Sequence, residues 1–490
     1  MPGSGVPSTS SAGGVPKGLS AGVAGEASVA SMSGMSETAL HRAQAKMQAR
    51  GVAQPAIDVF SYYVQLAESG ETGLIRESDI DPLVDPPRLA DVTVDPADAS
   101  AALRQTVIIK LNGGLGTSMG LDKAKTLLPV REGKSFLDLL VEQVQFARRE
   151  HGAALPLIFM DSFRTSDDTL EHLAQHEGLP VDGLPLDFLQ NSEPKLLADT
   201  LEPVAWDADP ELEWCPPGHG DIYTALLTSG LLDLLLDKGF RYASVTNGDN
   251  LGAAPDATLA GWFAGTGAPF ASEVCLRTPN DRKGGHLAVR KADGQLILRE
   301  SAQTASDDLD AFQDIERHSY FNTNNLWLDL QQLKDIMAER KGVLGLPLIV
   351  NRKTVDPADK ASPKVIQLET AMGAAIEVFP GSQAIAVERD RFQPVKTTNE
   401  LLLLRSDVFD LRDDGRLVAT ADQPRVSLDD RYYKLIGDFE QRVRVVPSLR
   451  QAHSLTVEGD WTFDAAVTVV GDGVLKDEGE ARSVPEGTLG

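Results

Sequence analysis

The sequence predicts an α/β fold in which strands and helices alternate to build a doubly wound, mostly parallel sheet. Three observations carry this. Short apolar runs rich in β-branched residues recur along the chain, and amphipathic stretches of helical period lie between them. One such run, 106–111, ends abruptly on Asn112, Gly113, Gly114, Gly116 and Gly120, the pattern of a buried strand feeding a tight loop. Past about Leu411 the alternation stops and short β-like runs with frequent turns take over, which predicts a second, all-β unit.

In chain order, residues 1–36 are dominated by Ser, Gly, Ala and Val with Lys17 among them. They show neither a continuous apolar run nor an arginine-rich amphipathic pattern, and a disordered tail is expected. Leu40, Ala43 and Met47, then Ile57, Phe60, Val64 and Ala67, fall at helical spacing and predict two short helices divided at Pro55. Pro82, Pro86, Pro87 and Pro96 mark an extended connection, so 37–105 reads as a helical and extended segment leading into the strand at Thr106. Beyond the loop, Ser135 with Asp138 three residues on predicts a capped helix whose buried stripe is Phe136, Leu139, Leu140 and Val144.

Strands are then predicted at 155–160 and 186–190 with a helix at 168–176 between them, followed by a helix at 221–238 and strands at 242–246 and 270–275. Residues 286–299 read as an antiparallel hairpin across the turn KADG. A further strand leads into a loop, FNTNNLW, and helices are expected at 330–338 and 366–379. Residues 106–410 therefore form the larger unit. In 411–490, RVRVV, HSLTVEG, WTFDAAVTVVG and VLKD suggest a separate all-β unit, a short solenoid.

The 490-residue chain carries 72 acidic and 46 basic residues, a net charge of −26, which argues against nonspecific binding to nucleic acid or anionic membranes. No run approaches the length of a membrane span. Cys215 and Cys275 alone supply neither a disulfide framework nor a cysteine zinc site, and they fit a reducing, cytoplasmic setting. The eight scattered histidines include no H-E-x-x-H and no other recognisable metal spacing. In so acidic a chain, lysines beside a Gly-rich loop are informative.

Glycines let main-chain N–H groups approach an anion closely, so a strand followed by a Gly-rich turn suits phosphate. Counted from Gly114, the spacing fits neither the dinucleotide fingerprint nor a P-loop, and a plain strand-to-helix connection is the alternative. Lys123 and Lys125, placed where the chain leaves the loop, favour phosphate. Three further stretches fall where such a sheet gathers a site. In CPPGHGD, two prolines and two glycines fix a turn presenting His219. In NGDN, Asp249 at a strand terminus suits a hard cation, although Asn-Gly-Asp is also an ordinary turn. In FNTNNLW, the amides suit sugar hydroxyls or the capping of a turn. Lys396 stands just before a predicted helix N-terminus capped by Thr397 or Thr398, an unfavourable place for a cation unless an anion compensates it.

LNGGLGTSMG followed by KAKTLLPV resembles the nucleotide-binding loop of UTP–glucose-1-phosphate uridylyltransferases, or UDP-glucose pyrophosphorylases, of the eukaryote-like type. KGGHL, QLETAMGAAI and PVKTT extend the resemblance over roughly 107–409. Ser118 stands where broader sugar-nucleotide pyrophosphorylases carry an arginine, which points to the UDP-glucose branch rather than to UDP-N-acetylhexosamine enzymes. The resemblance implies a GT-A-like nucleotidyltransferase fold with a C-terminal left-handed β-helix. It implies Mg²⁺-assisted attack by glucose 1-phosphate on the α-phosphorus of UTP, giving UDP-glucose and pyrophosphate.

By that resemblance Leu111, Asn112, Gly113 and Gly114 hold the nucleotide together with Lys125, Gly218, Asp249 and Lys396. Gln190 reads the uracil edge, although its segment DFLQNSEPKL departs from the family's usual wording. His219, Asn247, Gly248, Asp249 and Asn324 face the sugar phosphate, Asp249 binds the metal, and Lys125 and Lys396 are catalytic. No nucleophile-activating triad is needed, since a phosphate monoester with its second pKa near ~6 already attacks as an anion. The alternatives are a UDP-sugar pyrophosphorylase of broader range and a catalytically silent UDP-sugar-binding protein. The C-terminal unit offers a surface for homo-oligomers.

Overall fold

The computed structural model describes residues 37–70 and 73–490, and the tail expected at 1–36 lies outside them. In chain order the central sheet is built from β1 (Ile80–Pro82), β2 (Thr106–Leu111), β3 (Leu157–Asp161), β4 (Asp187–Leu189), β5 (Tyr242–Asn247), β6 (Phe270–Leu276), β7 (His286–Arg290), β8 (Leu296–Arg299), β9 (Tyr320–Asp329) and β10 (Gln383–Ala386). Strands β5, β2, β3 and β4 lie side by side in parallel. Around β9 the sheet turns antiparallel: β9 pairs with β5 and β6, and the hairpin β7–β8 continues from it to β1.

Alternate residues of β2 face opposite sides. Ile108 joins one apolar cluster with Leu157 and Phe159, whereas Val107 and Ile109 join another with Ile158 and Met160. The helix Phe136–His151 covers the first face, and Ile222–Thr228, Leu231–Asp237 and Leu330–Glu339 cover the second, which is the double winding expected. Ser135 and Asp138 form the expected capping box at the first of these helices.

Several elements differ from expectation. Residues 366–379 are not a helix. Lys364–Thr370 is a strand, paired antiparallel with Leu348–Thr354, and a 3₁₀ turn Met372–Glu377 follows. The small sheet so formed is roofed by the helices Glu37–Arg50 and Gln54–Glu68, whose Met47, Ile57 and Phe60 pack on Ile366 and Leu368. The stretch 221–238 is two helices, because Gly230 takes φ +73° between them. The connection ahead of β2 holds a helix, Pro96–Arg104, with Pro96 in its first turn and the Asp95 carboxylate accepting from the Ala97 N–H at 2.8 Å. FNTNNLW is not a loop but lies inside β9.

The C-terminal part winds in stacked coils. Arg425–Leu428, Ser448–Val457, Val467–Leu475 and Gly487–Leu489 pair successively, all in parallel. Each circuit brings Leu428, Val457 and Leu475 into register. The unit is not all β, since it includes the short helices Asp430–Tyr433 and Ile436–Arg442. Nor is its core separate: Tyr433, Leu455 and Phe463 belong to the same apolar cluster as Phe136 and Phe159. Among the described residues no helix is long and apolar enough to cross a membrane.

Glu273 on β6 is fully buried. Its carboxylate accepts from Arg391 Nε and Nη2 at 2.7 and 3.0 Å, from Trp327 Nε1 at 3.0 Å and from Asn325 Nδ2 at 3.2 Å. Arg391→Met removes the counter-charge while keeping bulk. It is expected to cost about 3–5 kcal/mol, read as a lower urea-unfolding midpoint.

Candidate active site

At the carboxyl ends of β2 and β5 a cavity of about 400 Å³ opens, lined by Leu111, Asn112, Gly113, Gly114 and Lys125 from the first loop. Gln190, Gly218, His219, Asn247 and Asp249 join them in its wall. A larger groove of about 660 Å³ lies at the opposite, amino ends of these strands, lined by Gln105, Tyr242 and the helices Pro96–Arg104 and Ala257–Thr266. Ligands of open α/β sheets gather at carboxyl ends, so the chemistry selects the smaller cavity.

The loop is held from beneath. Buried Asn112 donates to Asp161 Oδ1 at 2.7 Å and to Thr169 Oγ1 at 2.9 Å, and its own Oδ1 accepts from Thr126 Oγ1 at 2.7 Å. A side chain spent on three internal partners fixes the turn, which leaves the neighbouring backbone to line the cavity. A Cβ on Gly113 would stand 2.6 Å from Gln190 Oε1, so the glycine lets the glutamine amide close over the loop, whereas Gly114 has open space around it.

His219 is set by the strand that sequence reading took for a helix. Gly218, at φ +80°, passes so close to Thr370 that a Cβ would meet its carbonyl oxygen at 2.6 Å. The Thr370 N–H donates to Pro217 O at 3.0 Å, and the Met372 N–H donates to His219 Nδ1 at 2.9 Å. Nδ1 is therefore an acceptor, and burial lowers the imidazole pKa. The ring is neutral, with its proton on Nε2.

Asn247 ends β5. Gly248 does not line the cavity, but its N–H donates to Leu111 O at 2.9 Å, and a Cβ would strike Thr126 at 2.8 Å, so it permits the close approach of two strand ends. Asp249 forms an ion pair with Lys125, Nζ to Oδ2 2.6 Å, and the same ammonium donates to the Val395 carbonyl. Buried Asn250 ties this loop to the same distant segment: its Nδ2 donates to Arg391 O at 3.1 Å and its Oδ1 accepts from the Gln393 N–H at 2.8 Å.

Two predicted site residues stand apart. Lys396 is exposed and lines a neighbouring groove of about 630 Å³ with Asp281, Arg389 and Asn399, rather than joining Lys125 and Asp249. Burial raises the pKa of the Glu300 carboxyl, and the Lys396 charge opposes that rise. Asn324 sits at φ +58° in β9, where the pairing with β6 slips, and it too lies outside the cavity. Such a bulge re-aims a side chain that a regular strand would point elsewhere. Lys123 pairs loosely with Asp168 at 3.8 Å on the surface.

Sequence reading passed over Thr126, Met160 and Pro216, which also line the cavity, and Asp161 beneath it. A signal existed for two of them. Thr126 follows Lys125 directly, and Asp161 is a carboxylate closing an apolar strand, the feature used to single out Asp249.

The sequence profile described as UTP–glucose-1-phosphate uridylyltransferase matches residues 58–470. The chain belongs to that family. Among similar curated proteins, the Solanum tuberosum UTP–glucose-1-phosphate uridylyltransferase is 36% identical over 82% of this chain and 83% of its own. The Saccharomyces cerevisiae enzyme of the same name is 37% identical over 79% and 77%. Among solved structures, a variant of Leishmania major UDP-glucose pyrophosphorylase in complex with UDP-glucose superposes with a TM-score of 0.86. It is 44% identical, covering 92% of this chain and 98% of that one. A Trypanosoma brucei structure described as UDP-glucose phosphorylase gives a TM-score of 0.85 at 44% identity, covering 92% and 98%.

Burial pushes the Asp161 carboxyl up to about 7 against the hydrogen bonds of Thr165, Asn112 and Thr169. In the unfolded chain an aspartate releases its proton near about 3.9, so the folded state holds the proton longer and stability falls as pH rises across that window. Asp161→Asn copies the neutral form. It is expected to flatten this fall by on the order of 1–3 kcal/mol, measured by urea unfolding at the two ends of the window.

Proposed function

We propose that the chain transfers a uridylyl group, making UDP-glucose and pyrophosphate from UTP and glucose 1-phosphate. The observation that carries this reading is the convergence of the Gly-rich loop, Gln190, His219 and the Lys125–Asp249 pair on one cavity. Membership of the uridylyltransferase family and the UDP-glucose complex of the Leishmania major relative support it.

Each residue then has a task its chemistry suits. The backbone at Gly114, open to approach, meets phosphate oxygens, and the Gln190 amide offers the donor and acceptor that a uracil edge requires. His219 donates from Nε2 to a phosphate oxygen without adding a charge that would trap product. Asp249 presents a part-exposed carboxylate to the cavity, a donor set that fits Mg²⁺, which usually takes one or two carboxylates and completes its shell with phosphates and water. Bound there, Mg²⁺ would neutralise the crowded phosphates. Lys125, exchanging Asp249 for phosphate, would follow the charge that develops on the leaving pyrophosphate. No side chain need act as base, because the sugar phosphate is already an anion.

Lys396 takes the second catalytic role in this reading, and Asn324 meets the sugar. Both require the segment around Lys396 and the β9 bulge to approach the cavity. The Leishmania major enzyme has been solved in open and closed forms, which supports such an approach. The same reading includes a left-handed sense for the C-terminal coils, self-association through them, and a cytoplasmic setting that suits two free, buried cysteines. A net charge of −26 supports the absence of nucleic-acid and membrane partners.

The test is pyrophosphate release across nucleoside triphosphates and sugar 1-phosphates, with and without Mg²⁺. UTP with glucose 1-phosphate and Mg²⁺ is expected to dominate, and comparable turnover with galactose 1-phosphate would shift the assignment to a broader UDP-sugar pyrophosphorylase. Lys396→Ala is expected to lower kcat by roughly 100-fold with little change in KM for the sugar phosphate. Retained turnover with weakened binding alone would remove that lysine from the chemistry. Asp249→Asn is expected to abolish the Mg²⁺ dependence.

A further inference from the structure

Asp138, His172 and His176 form the one group among the described residues whose ligand atoms could surround a metal ion, all lying within 4.8 Å of one another. None belongs to the nucleotide cavity. His172 lies in the last turn of the helix Ser166–Leu173, and His176 lies in the turn that follows the helix. Asp138 lies in the first turn of the facing helix Phe136–His151. Both imidazoles aim Nε2 at the same oxygen, Asp138 Oδ1, at 2.7 and 2.9 Å. The other carboxylate oxygen accepts from the Ser135 N–H at 2.8 Å and the Ser135 hydroxyl at 2.7 Å, which fixes the orientation of the group.

We propose that Asp138, His172 and His176 bind a borderline divalent transition metal, Zn²⁺ by preference, at a site distinct from that of Asp249. Two imidazoles and one carboxylate with an open fourth position are a ligand set that selects Zn²⁺ or Co²⁺ over Mg²⁺, a hard cation that prefers oxygen. Each side chain is about a fifth to a quarter exposed, which leaves a route for the ion and room for a water as fourth ligand. Ligand bonds of about 2.0–2.2 Å place tetrahedral ligand atoms roughly 3.4 Å apart, so each Nε2 must draw back from Asp138 Oδ1 by roughly 0.5–0.7 Å, within reach of small side-chain rotations. The Ser135 contacts are the outer hydrogen bonds that orient a carboxylate ligand.

The consequence is local and structural. The helix bearing His172 also carries Thr169, which receives a hydrogen bond from Asn112 under the nucleotide loop. A metal joining this helix to Phe136–His151 would clamp the support of that loop from behind.

The experiment uses the untagged full-length chain, stripped with chelator and dialysed, titrated with Co²⁺ and then Zn²⁺. One equivalent of Co²⁺ is expected to give the visible ligand-field bands of a four-coordinate site, displaced by Zn²⁺ and unaffected by excess Mg²⁺. H172Q and H176Q are expected to lower Zn²⁺ affinity by at least roughly 100-fold while keeping pyrophosphate-release turnover in Mg²⁺. Unchanged affinity in the double variant, or absence of the bands in the wild type, would overturn the site. A second readout needs no variant: Zn²⁺ should protect His172 and His176 from diethylpyrocarbonate, located by peptide mass spectrometry. Equal labelling with and without Zn²⁺ would overturn it as well.

Discussion

Lys125 holds together three pieces of chain that the sequence keeps far apart. Its ammonium pairs with Asp249 at the end of β5 and donates to the carbonyl of Val395, while its own backbone belongs to the exit of the Gly-rich loop. In a protein of net charge −26 a pocket meant for a polyanion must keep its cation from being neutralised at random on the surface. Pairing it with the one cavity carboxylate suited to a divalent ion achieves this. In the proposed reading, a triphosphate arriving with Mg²⁺ would exchange both partners at once, cation for cation and anion for anion. The site would then change occupancy with less net charge to desolvate than if Lys125 stood alone.

That pair is positioned by buried polar contacts beneath it. Asn112 fixes the loop through Asp161, Thr169 and Thr126, and Asn250 fixes the Asp249 turn through Asn325, Arg391 and Gln393. Arg391 in turn is locked by Glu273. The strand β2 itself carries Lys110, fully buried, whose ammonium donates to Thr246 Oγ1 at 2.7 Å and to Ala253 O at 3.0 Å. Burial lowers its pKa to about 7. Buried polar groups with their partners in place specify one arrangement of loops, because any slip would leave donors without acceptors in a medium that cannot replace water.

The parallel half of the sheet, its covering helices and the Gly-rich loop were legible because each depends on local signals: period, capping residues and turn glycines. What escaped depends on tertiary packing. Residues 366–379 have helical spacing, yet the stretch is drawn into a strand because Ile366 and Leu368 bury against Phe60 and because Thr370 receives the Pro-Pro-Gly loop. Asn324 reads as a loop residue by composition and proves to be a bulge, a conformation no period reveals. The Gly-rich loop, His219 and Asp249 stood out because they fall after predicted strands or before a predicted helix, whereas Gln190 and Gly218 entered only through the family resemblance. Asp161 shares with Asp249 the place of a carboxylate closing an apolar strand, but no glycine turn follows it, and its use as a buried acceptor for Asn112 shows only in the packing. The Asp138, His172 and His176 cluster was invisible for another reason: two histidines four apart mean little until a carboxylate from a different helix meets them.

The same packing constrains any path by which Lys396 would take the catalytic role proposed for it. On one side its neighbour Val395 is buried and held by Lys125; on the other, Thr397 caps the helix Thr398–Arg405 with Glu400. That helix is fastened to the C-terminal coils, since Thr398 Oγ1 donates to Tyr433 O at 2.8 Å and the Leu428 N–H donates to Asn399 Oδ1 at 3.0 Å. Backbone movement at Lys396 must therefore break the Lys125–Val395 contact or carry the helix and coils along. A phosphate that draws Lys125 off Val395 removes the first restraint. In the mechanism proposed above, filling the cavity would thus free the second cation to approach, and the helix and coils fastened to it would move with it.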